Sequence, residues 1–237
     1  GYSEVAQANP GVDPWLPGDG TEIVMPTMWV LPHAPREGIV VNLAEMRLYH
    51  YFEAGGRSLV RTYPVGIGRE AFDTPTGSYA VAQKLRDPSW TVPETIRAED
   101  PSLPAVVPPG PENPLGRFAL QLSDPSYLIH GTNRPLGIGR RVSHGCIRMY
   151  PGDIASLFGA AAPGTPVRIV YQPVKVGRRH GAVYVEAHRG YMEESESGLW
   201  ERAEERLAEE GLLGETDSAL LHRALRERTG VPLRVTP

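Results

Sequence analysis

The residues that could do chemistry lie close together: Ile129-His130-Gly131-Thr132-Asn133, then Arg141-Val142-Ser143-His144-Gly145-Cys146-Ile147-Arg148-Met149. Cys146 is the single cysteine of the chain, so it has no partner for an internal disulfide. A thiol attacks carbonyl carbon only as thiolate, and a nearby imidazole can take its proton. His130 and His144 are the two histidines placed for that task. Gly145, beside the cysteine, leaves room for an acyl group, and backbone N–H groups there can meet the oxyanion that attack creates. The pattern points to covalent acyl transfer. Two competing readings remain on residue grounds alone. A lone cysteine is often a small buried hydrophobe. A zinc site from His130, His144 and Cys146 has acceptable ligands but no Cys-x-x-Cys or His-Glu-x-x-His spacing to support it.

Positioning these groups requires strands. Ile39 to Leu43 and Met46 to Tyr51 read as a hairpin turning at Ala44-Glu45. Leu59 to Val65, Gly77 to Ala82, Phe118 to Leu122, Tyr127 to His130 and Val167 to Tyr171 continue the pattern. Residues 86–116 are rich in proline and read as a long ordered loop, a class that is often functional. Pro151 to Phe158 has the early proline and spaced apolar residues of a helix. Val183 to Ala187 is a further strand. Residues 199–211 and 217–229 read as amphipathic helices, with Ala203/Leu207 and Leu220/Leu221/Ala224/Leu225 as apolar positions. The charge run from Glu201 to Glu210 reads as a solvated helix face.

Composition closes off other classes. The 237 residues carry a net charge of −4, which gives no basic face for nucleic acid. No apolar run approaches the roughly 18 residues of a membrane helix. Histidines 33, 50, 180, 188 and 222 read as incidental. The absence of an initiator methionine at Gly1 is compatible with a trimmed or mature chain.

The combined motif, His130-Gly131-Thr132-Asn133 followed by Ser143-His144-Gly145-Cys146-Ile147-Arg148, resembles the signature of the L,D-transpeptidase (YkuD-type) catalytic domain. Residues 36–49, Thr74-Pro75-Thr76-Gly77 and Asp87-Pro88-Ser89-Trp90-Thr91 resemble the periplasmic subfamily that includes enzymes attaching Braun-type lipoprotein to the wall. Residues 9–26 resemble the second half of a LysM peptidoglycan-binding module. The expected fold is mainly β, a sandwich or barrel-like catalytic domain with short helices, a partial LysM-like segment and a small helical extension. The expected division is 1–36, 37–172 and 173–237.

The resemblance implies Cys146 as nucleophile, His130 as general base and His144 in support. Gly145 belongs to the oxyanion loop, and the Gly131 carbonyl orients His130. Arg148, Ser143, Trp90 and Arg141 are expected at the substrate, with Trp90 and its loop covering the cleft. The implied substrate is a peptidoglycan stem tetrapeptide, releasing D-Ala through a thioester. The acceptor stays open among a second stem, a lipoprotein lysine, a D-amino acid and water. Carbapenem-type β-lactams are expected to acylate the thiol. No metal or cofactor is implied, and the location expected is the periplasm of a diderm bacterium. A non-catalytic peptidoglycan-binding protein is the alternative of a different class.

Overall fold

Short β-branched and aromatic runs interrupted by glycine and proline favour strands over helices. The computed structural model describes residues 2–192 and 195–237. The strands are β1 (Ile39–Asn42), β2 (Arg47–Ala54), β3 (Arg57–Pro64), β4 (Ile67–Gly68), β5 (Gly77–Arg86), β6 (Trp90–Thr91), β7 (Val106–Val107), β8 (Phe118–Leu122), β9 (Leu128–His130), β10 (Arg141–Ser143), β11 (Ile147–Arg148), β12 (Pro166–Val170), β13 (Val174–Arg179), β14 (Ala182–Ala187) and β15 (Leu233–Arg234). The helices are α1 (Tyr2–Ala8), α2 (Glu94–Glu99), α3 (Pro151–Ala160), α4 (Glu196–Glu209) and α5 (Ser218–Glu227).

Contacts divide the chain into two units. One comprises Arg36–Val41 and Met46–Val170; the other comprises Gly1–Pro35, Asn42–Glu45 and Tyr171–Pro237. The first is built on an eight-stranded sheet ordered β11-β9-β8-β5-β12-β1-β2-β3. The long strand β5 curls it. Residues 77–80 of β5 pair with β12, while residues 81–86 pair with β8 after a register irregularity between Val81 and Gln83. An extra residue in one strand bends it and increases its twist. Ile39, Leu48, Tyr49, Leu120, Ile129, Ile147 and Met149 are fully buried in this unit. Helix α3 begins at Pro151, where a missing N–H costs nothing, and buries Ile154 and Leu157.

The expected strands from Ile39 to Tyr171 are present, and the structure adds detail the sequence pattern concealed. The proline-rich stretch contains the small ribbon β6–β7 and the helix α2. The two-residue strands β4 and β11 are too short for any periodicity to register.

The other unit holds the antiparallel sheet β13-β14-β15 with α4 against β13 and α5 against β14. Ser195 caps α4 by accepting from the Gly198 N–H at 3.1 Å, and Asp217 caps α5 by accepting from Ala219 and Leu220. Leu199, Ala203 and Leu207 of α4 and Leu221, Ala224 and Leu225 of α5 are buried with Val183 and Val185. Helix α4 starts at Glu196, three residues before the expected 199, because the cap lies at Ser195. Among the described residues no helix is long and apolar enough to cross a membrane.

The same unit buries a charged quartet. Lys175 Nζ lies 2.8 Å from Glu45 Oε2 and 2.8 Å from Glu186 Oε1, and His188 Nε2 lies 2.7 Å from Glu186 Oε1. Asn42 Nδ2 donates to Glu45 Oε1 at 2.7 Å, and the Val30 N–H donates to Glu186 Oε2. Burial by itself would raise the Glu186 carboxyl, but the Lys175 charge and the His188 hydrogen bond take it below its ordinary value. Glu45, Glu186 and His188 bring ligand atoms within 4.8 Å of one another, a cluster of the kind that holds metal ions. Here Lys175 is the cation that neutralises the carboxylates. His188, expected to be incidental, is a member of this buried network. Nothing in local sequence marks it, because Glu45 and Lys175 are brought together across 130 positions.

Candidate active site

The site is assembled by a parallel strand pair. β11 lies beside β9 with Ile147 opposite Ile129 and Arg148 opposite His130. Successive side chains on a strand alternate faces, so Leu128 and His130 share one face of β9, and Cys146 and Arg148 the matching face of the neighbouring chain. All four line one cleft of about 380 Å³. His130 is thereby a diagonal neighbour of Cys146, within reach for side chains of this length. The backbone there is held from both sides. Met149 N–H donates to the His130 carbonyl at 2.8 Å, and Arg148 exchanges two 2.8 Å hydrogen bonds with Gly66.

His130 is buried, and its Nδ1 donates to the Gly131 carbonyl at 2.7 Å. With the proton placed there, Nε2 keeps its lone pair. Burial, reinforced by the charge of Arg148, pulls the imidazole down to about 4, against weaker opposing hydrogen bonds to the Gly131 and Leu115 backbone. The ring is neutral at pH 7. Cys146 is half-buried, with Sγ 3.8 Å from the Ser126 carbonyl. Burial pushes its thiol up, and a Leu128 backbone hydrogen bond and the Arg148 charge oppose that. The pair therefore rests as thiol and neutral imidazole rather than as an ion pair.

The loop before Cys146 is cross-braced. Ser143 Oγ donates to the Cys146 carbonyl at 2.5 Å and accepts from the Gly145 N–H at 3.2 Å. Thr74 Oγ1 accepts from the Gly68 N–H and donates to the Gly145 carbonyl, each at 2.9 Å. Thr74 belongs to the Thr74-Pro75-Thr76-Gly77 stretch, whose role the sequence pattern did not disclose. Gly145 has φ +102, and a Cβ there would sit 2.9 Å from Tyr127 Cε1. Replacing Gly145 by Ala is expected to strain this turn by about 1–3 kcal/mol and move the thiol. A displacement near 1 Å is enough to cost about 100-fold in the acylation rate. Stopped-flow acylation with a carbapenem, compared between Gly145→Ala and wild type, checks this. An unchanged rate would show that the turn tolerates a Cβ.

The remaining expected residues divide. Trp90 lines the cleft with Ser89, Thr91, Pro93 and Ile96, so the proline-rich segment supplies one wall. Arg148 lines it too. Among the described residues its guanidinium has no hydrogen-bond or ion-pair partner, and its Nε is buried without one. Arg141 is placed elsewhere: its Nη2 pairs with Asp73 Oδ1 at 2.6 Å, its Nε donates to the Gly68 carbonyl, and it does not line the cleft. His144 lines the cleft while its Nε2 lies 3.0 Å from Arg69 Nη2 and 3.2 Å from Glu99 Oε2. Arg69 and Glu99 carried no signal in the sequence, being 75 and 45 positions from His144. A larger hollow of about 660 Å³ touches Gly131, Phe118 and Ile154 but includes neither Cys146 nor His130.

Fold and site together define a curled β-sheet protein built around a single cleft thiol, a neutral buried histidine and an unpaired arginine. Comparison with known proteins agrees with that class. Residues 36–169 match the YkuD family, described as the L,D-transpeptidase catalytic domain. "Probable L,D-transpeptidase YcfS" of Escherichia coli is 46% identical over 80% of this chain and 61% of its own length. "Probable L,D-transpeptidase YbiS" of Escherichia coli is 39% identical over 99% of this chain and 79% of its own length. A crystal structure of an Enterococcus faecium L,D-transpeptidase variant matches with a TM-score of 0.44 at 22% identity, covering 56% of this chain and 49% of that one. The chain spans about three fifths of the YcfS length. The protein belongs to the L,D-transpeptidase (YkuD) family.

Proposed function

We propose that this protein is an L,D-transpeptidase of peptidoglycan, working through a thioester on Cys146. The observation that carries the reading is the shared face of β9 and β11, which puts Cys146, neutral His130 and unpaired Arg148 in one cleft. The donor is a stem tetrapeptide. His130 Nε2 takes the thiol proton as Sγ attacks the carbonyl before the terminal D-Ala. The S–C bond forms, the C–N bond breaks, and the proton passes to the departing amine. The N–H groups of Cys146 and His144 serve the oxyanion, since that of Gly145 is already bonded to Ser143. Arg148 receives a donor carboxylate, which gives a partner to a half-buried cation whose Nε has none.

An amine then attacks the thioester; the C–N bond forms as the C–S bond breaks, His130 passes the amine proton to the departing Cys146 thiolate, and a 3→3 cross-link, a lipoprotein-lysine link or an exchanged D-amino acid results. Water in the same position gives an L,D-carboxypeptidase. The site of action under this reading is the periplasm. The LysM-like reading of residues 1–36 is carried as a glycan contact. Within this segment the Asn9 side chain joins Val5 and Val24 through three hydrogen bonds.

Intact-mass spectrometry with a disaccharide-tetrapeptide tests the proposal. The expected result is D-Ala release with a thioester on wild-type protein or a cross-linked dimer. No turnover and no adduct on reduced protein would leave the peptidoglycan-binding alternative. The acidity of His130 adds a second expectation. Its base form is the active one and is lost only as pH falls through about 4, so kcat/KM should stay level from neutrality to about pH 5. A pH profile bending near 6.5, the ordinary histidine value, would show that His130 is not the group titrating.

A further inference from the structure

Glu99 ends α2, in the proline-rich segment that walls the cleft. Its carboxylate receives Arg69 Nη2 at 2.6 and 2.7 Å and lies 3.2 Å from His144 Nε2. Arg69 itself lies 3.0 Å from His144 Nε2 and places its guanidinium 4.5 Å above the Phe72 ring, against which His144 packs edge-on at 4.6 Å. The His144–Glu99 contact joins the cleft wall directly to the loop that carries Cys146, and Arg69, stacked on Phe72, bridges the two from the segment after β4. His144 Nε2 can donate to Glu99 or accept from Arg69, and in either tautomer it faces the pair. The hydrogen bond from His144, with the charge of Arg69, holds the Glu99 carboxyl below its ordinary range.

We propose that Arg69, Glu99 and His144 form a clasp that fixes α2 and the Trp90 segment over the cleft, making Glu99 and Arg69 positioning residues for donor binding. His144 is then the anchor of the clasp, and His130 alone serves as base. The side chains of Arg69 and Glu99 are 39% and 45% exposed, and exposed pairs are individually weak. The clasp is therefore openable, as a wall must be where a bulky glycan-linked peptide enters. It rests on the proposed transpeptidase reading for its substrate, while the closure itself is a property of the fold.

Thiol labelling separates the two. Cys146 is reacted with iodoacetamide and with a maleimide carrying a bulky polyethylene glycol chain, in wild type, Glu99→Gln, Glu99→Ala and Arg69→Ala. Loss of the clasp should raise the rate with the bulky reagent about fivefold or more and leave iodoacetamide within twofold. With the disaccharide-tetrapeptide, KM should rise about fivefold with kcat within twofold. Equal labelling ratios in all four proteins would overturn the clasp whether or not the peptide turns over. A kcat collapse in Glu99→Gln with unchanged KM would overturn it too, by placing Glu99 in the chemistry. No turnover by wild type together with altered labelling ratios would sink only the substrate reading.

Discussion

His130→Ala should lower the rate of Cys146 acylation at pH 7 by about 100- to 10,000-fold, the range general-base removal usually costs. Cys146→Ala should give no adduct at all. The size of the His130 effect follows from the resting state of the pair. The thiol is pushed up by burial and the imidazole is neutral, so the proposed mechanism starts with little thiolate and relies on His130 to take the proton during attack. The variant should then recover with pH, about tenfold per unit, as hydroxide supplies the thiolate that His130 no longer can. Wild type should stay level over the same range. Carbapenem acylation followed by mass spectrometry from pH 6 to 9 reads both slopes, with His130→Gln as a second variant that preserves volume. A His130→Ala protein acylating at more than a tenth of the wild-type rate at pH 7 would remove His130 from the mechanism. Circular dichroism on each variant separates lost chemistry from lost fold.

The second large effect lies far from the thiol in sequence and concerns stability. Lys175→Met should destabilise the unit containing β13 and β14 by about 3–5 kcal/mol. The side chains of Lys175, Glu45 and Glu186 are 1%, 1% and 0% exposed, so removing the ammonium leaves two carboxylates with no water to solvate them. Adding Glu45→Gln and Glu186→Gln to Lys175→Met should restore part of the loss, because the amide oxygens still accept from Asn42 and Val30 while the unpaired charge is gone. Hydrogen–deuterium exchange of the β13 and β14 amides is the measurement, since a chain of two units need not unfold in one step. Unchanged exchange in Lys175→Met would mean that the carboxylates find water or protons at little cost.

Much of the first unit was legible without coordinates, and the reason is local. Sequence alternation marks the strand at Arg47–Ala54, although both its faces are buried from Arg47 to Tyr51, and Pro151 marks a helix start because that position needs no N–H. The residues from Ser143 to Cys146 announce acyl transfer because a thiol, an imidazole and a glycine lie within four positions. The helices α4 and α5 were visible in their apolar spacing; the start of α5 fell at its Asp217 cap as expected, while that of α4 was missed by three residues because a cap is one side chain meeting one N–H.

The sequence by itself determined the residue types at the site, the strand-rich character of the fold and the family. Only the tertiary structure decided which of two histidines is buried on the strand beside the thiol and which is engaged by Arg69 and Glu99, and which of two arginines lines the cleft with no partner among the described residues. Arg148 is left without an anion while Arg141 is taken by Asp73, and no spacing rule separates them. Tertiary structure likewise brought Glu99 to His144 across 45 positions and Lys175 to Glu45 across 130. The physical reason is range. Periodicity, turns and caps depend on neighbours along the chain, whereas the register of β9 against β11 and the pairing of buried charges depend on which distant segments exclude water together.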